Sequence, residues 1–95
     1  MQTKFIVSLI GSLLTMGIFS AAALADGKVT CTSEAKDKWQ AQENAEEAAK
    51  EAGYEVRKSV ITDGGCYEVY GIKDGSLYEL FYNPVDLTLV ATVKK

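Results

Sequence analysis

From Tyr54 onward apolar and polar residues alternate with a period of two. The runs "YEVRKSVIT", "CYEVYGIK", "SLYELFYN" and "LTLVATVKK" are rich in β-branched and aromatic residues, and "DGG", "DG" and "PVD" separate them. Runs of this kind joined by short turns predict antiparallel hairpins in series, with Asp74–Gly75 the strongest turn signal. Upstream, Ala41, Ala45, Ala48, Ala49 and Ala52 recur at helical spacing within "QAQENAEEAAKEAG", and charged residues fill most of the remaining positions. Alanine and glutamate favour helix, and Gly53 stands where a C-terminal cap belongs. The pattern predicts a helix over 40–52. The polar stretch before it, "DGKVTCTSEAKDKW", reads as an irregular arm with a helical turn at "SEAKD". The predicted fold is α+β, with one α-helix packed across a three- to four-stranded antiparallel β-meander (α-β-β-β-β).

Parity assigns the faces of that sheet. Tyr67 and Val69, then Tyr78, Leu80 and Tyr82, then Leu89, Ala91 and Val93 form one face with Val56, for the alanine stripe to cover. The first strand breaks alternation at Val60–Ile61, which predicts a bulge or burial on both sides there. The opposite face carries Tyr70, Ile72, Leu77 and Phe81 beside Glu68 and Glu79. That is too apolar for a plain solvent face. One helix covers one face only, so either the arm around Cys31 and Trp39 covers the second face, or it is an open patch for a partner or for dimerisation. Tyr70, Ile72, Leu77 and Phe81 are the candidate partner-binding residues.

The first residues change the picture of where this sheet works. "MQTK" is a short basic start, "FIVSLIGSLLTMGIFS" is apolar, and "AAALA" ends in small residues, the pattern of a secretory signal peptide. The apolar run is shorter than the ~20 residues that span a bilayer. Cleavage after Ala25 is expected, giving a signal peptide at 1–25, an arm at 26–38 and a domain at 39–95, with periplasmic or secreted localisation. No membrane insertion is expected after cleavage. All 13 acidic residues lie beyond residue 25, whereas Lys4 is lost with the leader. The acidic balance argues against a nucleic-acid partner and against docking on anionic lipid.

A domain this small is marginal on core burial alone. Cys31 and Cys66 are the chain's two cysteines, both in the exported part. In an oxidising compartment they predict a disulfide, worth about 4 kcal/mol for a loop of this length. The chemical alternatives are weaker. The chain has no histidine, so a thiol nucleophile lacks its usual base and two cysteines cannot complete a zinc site. The C-x-x-C spacing of redox pairs is missing.

The helix ending "AKEAGYEVRK" followed by "DGGCYEVYGIKDGSLYELFYNPV" resembles the PepSY domain in its small stand-alone exported form. The Gly-Tyr after the helix, the Tyr-Glu-Val strand, the Asp-Gly turn and the third strand running into a proline turn carry the resemblance, over about 39–93. It implies one helix across an antiparallel sheet and a non-catalytic module. Such domains occur in propeptides of secreted metallopeptidases and in bacterial envelope proteins, and restraint of a peptidase is the suggested role. One departure stands out. The family often has Asp-Pro-x-Thr-Gly where this chain has "NPVDL", Asn83 to Leu87. Leucine takes positive φ only at a cost, which predicts altered geometry in this last turn.

The expected function is therefore a non-catalytic cell-envelope binding or regulatory module, with a peptidase or another envelope protein as partner and no cofactor. A homodimer is a second form that the open patch allows. Catalytic residues are none: Glu68 and Glu79 share a face on adjacent strands and invite comparison with an acid–base pair, but cross-strand surface charge is the simpler explanation. The alternative function is a periplasmic carrier of a small ligand or metal ion. Turn acids Asp63, Asp74 and Asp86 would serve it, without the dense spacing of a calcium loop.

Overall fold

The structure, a computed structural model, describes residues 28–95. The predicted signal peptide lies outside the described residues. Helix α1 spans Gln42–Glu51, and four strands follow it: β1 (Glu55–Ile61), β2 (Tyr67–Lys73), β3 (Ser76–Tyr82) and β4 (Leu89–Lys94). They form one antiparallel sheet in the order β1-β2-β3-β4. This is the α+β meander that the alternation predicts. In the arm, the helical turn is a single 3-10 turn at Lys36–Lys38, slightly later than "SEAKD".

The helix ends where Gly53 places it. Gly53 holds φ +97°, its N–H donates to the Lys50 carbonyl, and the Tyr54 N–H donates back to the Ala49 carbonyl at 3.0 Å. These two bonds satisfy carbonyls that the helix end would leave orphaned. They also aim Tyr54 at the core. Ala45 and Ala49 are fully buried against Tyr67, Val69, Leu80 and Tyr82, so the alanine stripe lets α1 lie close over β1 and β2. Gln42 donates to the Ser59 hydroxyl, which donates in turn to Glu46, fastening helix to β1. Asp74 and Gly75 both hold positive φ, as a type I′ turn between β2 and β3 requires.

Two sheet irregularities differ from the parity reading. The bulge in β1 falls at Arg57, between Val56 and Lys58. Val60 and Ile61 pair regularly with Glu68 and Tyr67, and both are exposed because they lie on an edge strand. In β4, Tyr82 pairs with Leu89 while Phe81 pairs with Ala91, leaving Val90 as an extra residue. One inserted residue reverses parity beyond it. Ala91 and Val93 therefore join Phe81 on the face away from the helix, not the helix face as strict alternation predicts.

Leu87 holds φ +61°, the conformation in which a glycine would be at ease. Its N–H donates to the Asn83 carbonyl at 2.7 Å, and the Asn83 side chain accepts from the Val85 N–H. The left-handed backbone costs about 1–2 kcal/mol. The Leu87 side chain packs on the core under the helix, which offsets that cost.

Candidate binding face

The arm crosses the end of the sheet where β1 and β3 finish, touching both faces in turn. Cys31 and Cys66 form the disulfide, with Cα atoms 5.1 Å apart. The Cys31 N–H donates to the Gly64 carbonyl and the Asn83 side chain donates to the Cys31 carbonyl. A Cβ on Gly64 would collide with the Val29 carbonyl oxygen, and one on Gly65 with that of Thr32. The glycine pair is what lets the arm backbone lie flat on the turn. Cys31 and Val29 pack on Cys66, Phe81 and Ala91 on the outer face. Trp39 does not join them there. It sits on the helix side, edge-on to Tyr67 at 5.5 Å, with its indole N–H on the Glu34 carbonyl. The two residues that the sequence reading grouped as one cover thus straddle the sheet, because Gln40 is tied to the β3–β4 turn between them by its N–H on the Pro84 carbonyl.

Coverage of the outer face is therefore partial. Phe81 is only 9% exposed, shut in by the arm. Tyr70 and Ile72 are half-buried and Leu77 is 36% exposed. Ile72 and Leu77 face each other across β2 and β3, and the Lys58 ammonium lies 4.8 Å from the centre of the Tyr70 ring. Tyr70, Ile72 and Leu77 thus form one accessible patch, and Phe81 lies beyond it beneath the arm.

Glu68 and Glu79 lie between those two zones. Glu68 stands opposite Phe81 and Glu79 opposite Tyr70, which makes the two carboxylates diagonal neighbours. Lys95 pairs with Glu79 at 3.2 Å. Glu68 is 9% exposed, and among the described residues it belongs to no ion pair. Burial raises its pKa, the Tyr70 hydroxyl opposes that rise, and the neighbouring Glu79 charge adds to it. Burial and the same carboxylates push the Tyr70 hydroxyl upward as well. The pair borders an open groove of about 530 Å³, walled by Lys28, Val29 and Thr30 of the arm and by Thr62, Asp63 and Gly64 of the β1–β2 turn. These walls had one legible signal, the Gly-Gly beside a cysteine. Lys95 had none.

Asp63, Asp74 and Asp86 are not gathered. They sit in three different turns, and Asp86 accepts from the Thr88 N–H, the bond that lowers its pKa. Among the described residues no three acidic or cysteine side chains converge as metal ligands. No described helix is long and apolar enough to cross a membrane.

Residues 9–93 match the family PepSY_2, peptidase propeptide and YPEB domain. The chain belongs to this family. No curated protein and no solved structure matches it. Membership in the PepSY family gives a peptidase-propeptide-like regulatory module as the coarse description of this chain. The patch and the groove lie side by side on the outer face of its sheet.

Proposed function

We propose that this PepSY domain is an exported, non-catalytic module that holds a protein partner against the outer face of its sheet, in the way a propeptide restrains its peptidase. The observation that carries the reading is the unfinished cover. A helix and aromatic side chains bury the middle of one face, whereas on the other the described part of the arm packs on Phe81 and Ala91 and leaves Tyr70, Ile72 and Leu77 uncovered. The disulfide supports an oxidising compartment, and the family supports a peptidase or an envelope protein as the partner.

Site-specific photocrosslinking in intact cells tests it. A photoreactive residue at Leu77 is expected to trap a discrete protein adduct, while one at Glu47, exposed on α1, traps none. Equal labelling from both positions, or none from Leu77, removes the outer face as a binding surface.

A further inference from the structure

The groove beside the patch has a charge deficit. Facing it are Glu68 from β2, Glu79 from β3, Asp63 from the turn and Lys28 from the arm. Lys95 is engaged with Glu79, and Lys58, on β1, lies over the Tyr70 ring. Lys28 is exposed at the rim and in no ion pair among the described residues. Two adjacent carboxylates thus share one ammonium, and the more buried of them, Glu68, borders the open space without a cation of its own. A buried carboxylate is costly unless paired. We propose that this groove receives a lysine or arginine side chain from an extended segment of the partner protein, whose apolar neighbours rest on Tyr70, Ile72 and Leu77.

The inference rests on the binding reading above and names the chemistry of its partner. Charge complementarity selects a cation, and the apolar patch beside the groove, where the lining residue Glu79 stands opposite Tyr70, selects a peptide over a free ion. A metal ion would need more oxygen ligands than converge here. An ammonium or guanidinium supplies several N–H donors to the carboxylate oxygens and strengthens as water leaves. A second copy of this chain would have to meet the same acidic groove with its own cation.

The probe is the pentapeptide acetyl-VLRLV-amide, titrated into the labelled exported chain and followed by backbone amide shifts, beside the same peptide with glutamine in place of arginine. The arginine peptide is expected to move the amides of Thr62–Gly64, Glu68 and Glu79, with at least tenfold tighter binding than the glutamine form. The double variant Glu68→Gln, Glu79→Gln, its fold checked by shift dispersion, is expected to lose that tenfold preference. Equal binding of the two peptides, no shifts at the groove, or an unchanged preference in the double variant each overturns the proposal. Concentration-dependent shifts of these amides without peptide assign the groove to a second copy, and also overturn it. Adducts from Leu77 that survive the double substitution leave the binding module standing and sink only the cationic anchor.

Discussion

The two faces of this sheet solve the same problem differently. On the helix face, Ala45 and Ala49 bring α1 down onto Val69 and Leu80, both fully buried, and the rim is closed by Tyr54, Trp39 and Leu87. Burial there is deepest under the helix, while Ile61 and Leu89 at the margins stay exposed. On the outer face the cover is a strip of backbone held by a disulfide and a glycine pair, and among the described residues it packs on Phe81 and Ala91. What remains is apolar at one end and acidic in the middle. The lesson is that the two faces are closed by different means: one by packing of a helix, the other by a strip of backbone fastened covalently at one end.

The sharpest way to break the comparison is to unfasten the outer face. Cys31→Ala with Cys66→Ala is expected to destabilise the domain by about 4 kcal/mol, read as a lower urea midpoint. Loss of arm protection in hydrogen exchange should accompany it, centred on the Cys31 amide, which donates to the Gly64 carbonyl. A variant that keeps wild-type stability and protection would mean that the arm is held by its hydrogen bonds alone. Next in size, Leu80→Ala opens a cavity beneath the helix and should cost about 3 kcal/mol. A loss below 1 kcal/mol would show that the helix face is as loosely closed as the outer one.

Glu68→Gln sharpens the comparison with a smaller effect of opposite sign. A native pKa raised above the unfolded value means that the folded state binds the proton more tightly. Stability therefore falls as pH rises from the ordinary carboxylate range through the raised value. The glutamine variant should be more stable than wild type at neutral pH by about 1 kcal/mol, and this advantage should vanish near pH ~4. Thermal melts at both pH values measure it. A variant less stable at neutral pH would show that the carboxylate is fully satisfied where it stands.

Much of this was legible in the sequence. Period-two alternation, the Asp74–Gly75 turn, the alanine stripe and the pair of cysteines each depend on neighbours a few positions away or on simple counting. They were enough for the meander, the helix and the disulfide. The outer-face grouping of Tyr70, Ile72, Leu77 and Phe81 was legible too, since parity within one unbulged strand carries across regular pairing. The fate of each residue was not. Among the described residues the arm packs on Phe81 and leaves Leu77 exposed, and no local pattern records which residues a strap will cross.

By itself the chain determined its elements, their order and its single covalent tie, because those rest on local backbone preference and on thiol chemistry in an oxidising compartment. Tertiary structure decided the rest. The extra residue at Val90 turned Ala91 and Val93 over, Leu87 took a left-handed turn because its side chain found the core, and Glu68 met Glu79 on a diagonal beside a groove. Each of these depends on register and packing between distant segments, where one inserted residue or one close backbone crossing changes the side chains a face presents.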